Sequence, residues 1–207
     1  MKRNYISNST ESVRIFKSSV LESFSKVHFA VPLIVYVPAI GYLIYSAFSL
    51  QAGLVYFLLY FLFGLAIWTI TEYLLHRYVF HFEPKSEWGQ RIHFIFHGVH
   101  HDYPQDAKRL VMPPSASIPL AILFYLLFSL FFKNQSLLFS FFAGFLAGYL
   151  LYDMLHYAIH HASFKNPLMK KLKRHHMMHH YADPHKGYGV SSALWDIIFK
   201  SGFHKKK

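Results

Sequence analysis

The sequence predicts an all-α integral membrane protein: four transmembrane helices, arranged as two hairpins, beneath a His-rich helical cap. Three observations predict it. From Val27 to Thr71 there is no Asp, Glu, Lys or Arg, and two further apolar runs follow at 115–132 and 137–157. Only 15% of the chain is charged against a usual ~25%, while 54% is hydrophobic and 19% aromatic. Finally, fourteen of the 16 histidines lie between positions 76 and 185, five of them between 175 and 185. An apolar core does not select such clustering.

In chain order, residues 1–26 read as a polar, mildly basic tail. Val13, Ile15, Phe16, Val20, Leu21 and Phe24 suggest either a short interfacial helix or a partly ordered segment. The uncharged run is broken at Ser49-Leu-Gln-Ala-Gly53, which gives spans at about 29–48 and 54–80, each close to or above the ~20 residues that cross a bilayer. Pro32 and Pro38 sit near the start of the first span or kink it. Residues 83–114 are mixed and polar, 115–132 form a third span, Lys133 to Ser136 a turn, and 137–157 a fourth. The whole reads as one domain, 1–207, with the cap built from 81–114 and 158–207.

The turns between paired spans carry almost no charge, whereas the tail, the 83–114 segment and the C-terminal region carry the Lys and Arg. The positive-inside rule therefore places the termini and the cap in the cytoplasm. The formal charge of +11 reads as attraction to lipid headgroups rather than nucleic acid, because the basic residues flank apolar runs. No signal peptide is expected, since the first 25 or so residues lack an apolar core segment. Lys205, Lys206 and Lys207 read as a solvated or headgroup-facing end.

The chain has no cysteine, so a bound metal must be held by His, carboxylate or water. Span lengths bring the histidines together. His76 lies 22 residues after Leu54, about 33 Å of helix, and His156 lies 19 after Leu137, about 28 Å. Both emerge on the face where the other groups sit. Residues three or four apart share a helix face, so His156/His160, His97/His100/His101 and His176/His179/His180 can each present imidazoles together. Neighbours in an HH pair point about 100° apart, so a repeated HxxHH suits two metal centres better than one. His76 and His81, five apart, share a face only if the helix unwinds between them. The ten candidate ligands are His76, His81, His97, His100, His101, His156, His160, His176, His179 and His180. Such a donor set suits iron, zinc or copper. Glu72 and Asp153, one turn before His76 and His156, are candidates to orient those rings, with Asp102, Asp183 and Asp196 in reserve. His28 and His204 read as interfacial; His93, His161, His175 and His185 lie near the motifs but off their spacing.

The set HxxxxH, HxxHH, HxxxH and HxxHH on membrane spans resembles the integral-membrane fatty acid hydroxylase/sterol desaturase superfamily, over residues 64–200. His97-Gly-Val-His-His101, Arg109-Leu-Val-Met-Pro-Pro114, the stretch from Tyr152 to His161 and the stretch from Gly187 to Phe199 resemble its fatty acid 2-hydroxylase branch. The resemblance implies a di-iron, O2-dependent monooxygenase that hydroxylates carbon 2 of a long acyl chain, free or within a sphingolipid, with the ten histidines as ligands. Zinc can replace iron in such a site on purification. Family members often carry a fused cytochrome b5 domain. The 26-residue tail has no room for one, so a separate electron donor is expected. Tyr103, Arg109, Tyr181 and Tyr188 are candidates to grip the lipid head. Two alternatives stand beside this reading: a related enzyme acting on a sterol or carotenoid, and a membrane haem- or metal-binding or transport protein. Transporters place their ligands near the mid-membrane, unlike these edge positions.

Overall fold

The computed structural model describes residues 6–203; Lys2 and Arg3 of the basic tail, His204 and the terminal lysines lie outside the described residues. Among the described residues the structure is helical, with no strand. Helix α1 spans Ser19–Phe24, α2 Ala30–Ser49 and α3 Leu54–Leu74. Helix α3 continues without a break into a π-helical turn, Leu75–Phe80. Helix α4, Glu87–His93, runs through a second π-turn, Phe94–Gly98, into α5, Val99–Asp102. Then come α6 (Pro114–Ser129), α7 (Gln135–His161), α8 (Pro167–Tyr181) and α9 (Leu194–Ile198).

Among the described residues, three helices are long and apolar enough to cross a membrane: α2, α3 with its π-turn, and α7. Helix α6 has 16 residues, about 24 Å, against the ~30 Å of a hydrocarbon core. Pro114 opens it at a position that needs no N–H partner. Of the two prolines in the first span, Pro32 falls in its first turn and Pro38 lies inside the helix.

Helix α7 is the axis of the bundle. In its apolar window 72% of residues are buried, against 17% for α3 and 22% for α2, so the latter two present most of their apolar surface outward. In lipid, apolar side chains gain little by leaving their surroundings, so helices associate through close packing. Gly64 and Gly144 provide it reciprocally. A Cβ at Gly64 would sit 1.9 Å from the Phe141 carbonyl oxygen, and one at Gly144 would sit 1.9 Å from that of Phe61. Trp68 lies against Gly148 and meets Phe145 edge-on, with ring centroids 5.2 Å apart. This interlock sets the height of α3 relative to α7, and hence the level at which His76 and His156 emerge.

The N-terminal segment is neither a free tail nor only an interfacial helix. The Ser7 N–H donates to the Asp102 carbonyl at 2.8 Å, Ser12 Oγ to Asp106 at 2.8 Å, and the Val27 N–H to the Lys108 carbonyl at 2.9 Å. Arg91 donates to the Ile15 carbonyl. Buried Glu22 binds Arg109 at 2.7 Å and Lys26 at 2.8 Å. Residues 7–27 thus form a strap across the cap.

Candidate metal centre

The one histidine pair expected to need altered winding, His76/His81, receives it. The helix does not unwind between His76 and His81. It widens instead: the His81 N–H donates to the His76 carbonyl at 3.2 Å, five residues back, which puts both rings on one face. A second π-turn, Phe94–Gly98, carries His97 itself, and His101 follows four residues later in α5. The HxxHH motifs divide at spacing four, His97 with His101 and His176 with His180; the remaining member of each, His100 and His179, turns to the other group.

Two groups of five imidazoles result: His76, His81, His97, His101 and His179, and next to them His100, His156, His160, His176 and His180. Within each, the candidate ligand nitrogens lie within 4.8 Å of one another. In the first, His97 Nε2 approaches those of His76, His81 and His101 at 3.2, 3.1 and 3.0 Å. In the second, His176 Nε2 approaches those of His156, His160 and His180 at 3.0, 3.0 and 3.1 Å. One imidazole nitrogen carries a single hydrogen or a single lone pair and cannot bond to three others. Nitrogens at right angles on metal bonds of about 2.1 Å stand about 3 Å apart. The spacing is therefore that of a coordination shell, and the donor set fits a metal ion in each group.

Burial reinforces this. Desolvation, then repulsion among neighbouring rings, pushes His81, His97, His100, His101, His176 and His180 far below the usual imidazole range. Burial lowers His179 to about 3, with the charge of His76 adding to the effect and the Lys186 carbonyl opposing it. Neutral rings keep the lone pair that a metal needs.

The surroundings of the groups differ. His76 Nδ1 donates to the Tyr188 carbonyl at 2.5 Å and His179 Nδ1 to the Lys186 carbonyl at 2.8 Å, which leaves each Nε2 as the acceptor nitrogen. Both carbonyls belong to the loop before α9. Glu72 and Asp196 anchor that loop. The Val190 and Ser191 N–H groups donate to Glu72 Oε1 at 2.8 Å each. Asp196 accepts from the N–H groups of Tyr188 (3.0 Å) and Gly189 (2.8 Å), from Ser201 Oγ (2.8 Å) and from His175 Nε2 (3.0 Å). Burial raises the Asp196 carboxyl, but His175, Gly189 and Ser201 outweigh it and hold it below the usual carboxylate range. In the second group, the Nδ1 atoms of His156, His176 and His180 are buried with no protein partner.

The residues expected to orient individual rings therefore act elsewhere. Glu72 reaches the loop and not His76. Asp153 accepts from the Met112 N–H at 3.2 Å and Tyr149 Oη at 3.2 Å and not from His156. His175, off the metal spacing, is the partner of Asp196. Asp183 pairs with Lys186 at 3.0 Å, and exposed His185 faces Glu83 at 3.9 Å.

A chamber of about 620 Å³ adjoins the centre, and His97, His100 and His156, from both groups, form part of its wall. Its other walls are mostly apolar, with Ser25, Arg109 and Ser115 among the polar exceptions. Of the four residues expected to grip a lipid head, Arg109 lines this chamber, though its guanidinium is already engaged by Glu22, Ser25 and the Val13 carbonyl. Tyr188 packs on the rings of His76, His81 and His179 at 5.9, 5.3 and 5.6 Å. Tyr103 and Tyr181 do not line this chamber. The chamber's Phe80 and Phe96 carried no sequence signal, because a chain with 22 Phe offers no contrast.

Fold and site together define a helical membrane protein with two adjacent all-imidazole groups that could each hold a metal ion. The chain belongs to the fatty acid hydroxylase family, whose model matches residues 61–201. It is 38% identical to a dihydroceramide fatty acyl 2-hydroxylase of Arabidopsis thaliana, over 91% of this chain and 79% of that protein. It is 36% identical to the fatty acid 2-hydroxylase of Rattus norvegicus over 90% of this chain, which spans 56% of that longer protein. Among solved structures it is similar to the hydroxylase domain of full-length scs7p, with a TM-score of 0.83, 35% identity, and coverage of 89% of this chain and 70% of that one.

Proposed function

We propose that this chain hydroxylates carbon 2 of a long acyl chain, free or in a ceramide-type lipid, with O2 as co-substrate and the ten histidines as ligands to two iron ions. The observation that carries the reading is the shared wall: imidazoles of both groups face one apolar chamber. The balance is one C–H, one O2, two electrons and two protons giving C–OH and water. A redox partner delivers the electrons. Bound iron would supply the oxygen activation that an unactivated C–H demands and no side chain provides. Zinc and copper suit the same donors, so zinc can occupy the site in purified protein.

The protein's own contribution is positional. Neutral, buried imidazoles keep their lone pairs free of protons. The Tyr188 and Lys186 carbonyls fix which nitrogen of His76 and His179 faces inward. Apolar walls keep water away from the reacting carbon, while Ser25 and Ser115 offer a polar margin for the lipid head. The relatives' printed activities, on fatty acyl and ceramide substrates, favour this reading over a sterol or carotenoid.

The same proposal puts the cap and both termini in the cytoplasm, from the distribution of Lys and Arg. It counts α6 as a shorter fourth span, extended by the exposed apolar residues Leu130 and Phe131. The test is lipid mass spectrometry of cells that lack 2-hydroxylation and express this chain. 2-Hydroxy acyl lipids that vanish in His100→Ala are the expected result. Metal-loaded, reduced protein that yields none would sink the reading.

A further inference from the structure

A second chamber, about 790 Å³, lies beside the first, and Phe80, Phe96, Met112, Ser115 and Ala116 line both. Its remaining walls are almost wholly apolar. They include Val79, Phe82, Trp88 and Leu123, which are exposed on the outer surface of the bundle. Leu120 and Leu123 lie one to two turns further along α6 from the cap, so this chamber leads from the metal centre down the bundle flank.

We propose that the acyl chain passes from the metal-facing chamber through a neck formed by Phe80, Phe96 and Met112 into this flanking chamber, and that the neck determines which carbon stands at the histidines. The inference rests on the hydroxylase reading above. A saturated chain has no polar mark along its length, so only shape and the position of its head can select one carbon. Ser25, Arg109 and Asp153 sit on the metal-facing side and Ser115 on the shared wall, while apart from Ser86 and His93 the flanking side is apolar and turned toward lipid. A lipid whose head stays near Ser25 and Ser115 sends its chain out through the neck. Only carbons close to the head then lie beside His97, His100 and His156.

The neck is tied to the metal centre by the backbone. Phe80 ends the π-turn that aligns His76 with His81, and its ring stacks on that of His97 at 5.3 Å. Phe96 lies in the π-turn that carries His97. The winding that aligns the ligands therefore also places the neck. Because the flanking chamber opens along the bundle surface, long chains are accommodated and selection falls on the carbon position.

The test uses the full chain in lipid vesicles. An acyl lipid with a photoreactive diazirine at its chain terminus is bound and irradiated without turnover, and the labelled peptides are identified. Label on segments 75–82 and 119–123 is expected; label confined to the strap at 16–25 or to α8 overturns the proposal. Ala116→Phe narrows the passage at a position common to both chambers, and excluding a few methylenes from an apolar passage is worth about tenfold or more. The ratio of turnover on the longest to the shortest chain should fall about tenfold in Ala116→Phe. In Phe96→Ala, which removes an exposed ring rather than a core one, hydroxyl should appear at carbons beyond the second. An unchanged ratio together with unchanged position overturns it. Retained metal content establishes that each variant is folded. If the wild type labels as expected but yields no hydroxylated product, it is the hydroxylase reading that fails.

Discussion

The two histidine groups contain the same number of imidazoles but are held differently. The first group draws His76 and His81 from the π-turn that follows α3 and its C-cap, His97 and His101 from the second π-turn and α5, and His179 from α8. Two of its rings are fixed by carbonyls of the loop before α9, and His81 and His101 are only partly buried. The second draws four of its five from two long regular helices, α7 and α8, and all five are buried. The first is a site assembled by a loop, the second one assembled by rigid helices. The difference teaches where each will fail.

The largest effect is expected from removing the central ring of either group. His176→Ala should abolish product and empty the second group while the first still binds metal; His97→Ala should do the reverse. Metal analysis with spectroscopy of substituted cobalt reads both. Loss of both metals in each variant would break the comparison, because the groups would then bind as one unit.

Gly144→Leu should come next, and it acts on the shared floor. The new side chain meets the Phe61 backbone, and overpacking costs about 1–3 kcal/mol or more where backbone must move. Thermal unfolding should drop, with metal lost from both groups in parallel.

Glu72→Ala sharpens the contrast. It strips the partner from two backbone N–H groups, at about 1–3 kcal/mol for each left unsatisfied, and loosens the loop that carries the Tyr188 carbonyl. Metal affinity of the first group should fall about 10–100-fold, the range typical for residues supporting a ligand, with the second group unchanged. A chelator challenge that strips both at equal rates would contradict it.

The smallest effect concerns the strap. Burial raises the Glu22 carboxyl, but Lys26, the Phe16 and Ile15 N–H groups and Arg109 outweigh it and bring it down to about 2, from 4.5. A lowered carboxylate stabilises the docked form above its ordinary value, and the contribution is lost as pH falls through about 2. Glu22→Gln should therefore flatten the decline in stability between pH 4.5 and 2, measured as Tm against pH, without changing which group loses metal first.

Much of the site was legible from spacing alone. The i,i+4 relations of His156/His160, His97/His101 and His176/His180 follow from the 3.6-residue turn, so any helical reading brings each pair to one face. The long spans were legible because an uncharged stretch of that length has few other stable homes. The supporting shell was not. Glu72 stands one helical turn from His76, which suggests a direct contact, but its partners are backbone groups 118 and 119 residues away. Asp153 was misleading for the same reason: local spacing ranks neighbours on one helix and is silent about another chain segment. The chamber walls were hidden by composition, since Phe80 and Phe96 look like any lipid-facing phenylalanine.

The sequence by itself determined the helical membrane class, the ten histidines and their pairing on helix faces, because charge depletion and residue periodicity are local properties of the chain. Tertiary structure alone decided the rest. The π-turn at 75–80 in place of a break, the sorting of each HxxHH motif between two groups, the loop that holds His76 and His179, and the strap over the chamber all depend on contacts between distant segments. A helix can pay the modest cost of a wider turn only when the nitrogens it aligns meet partners from elsewhere in the fold, and no window of sequence contains those partners.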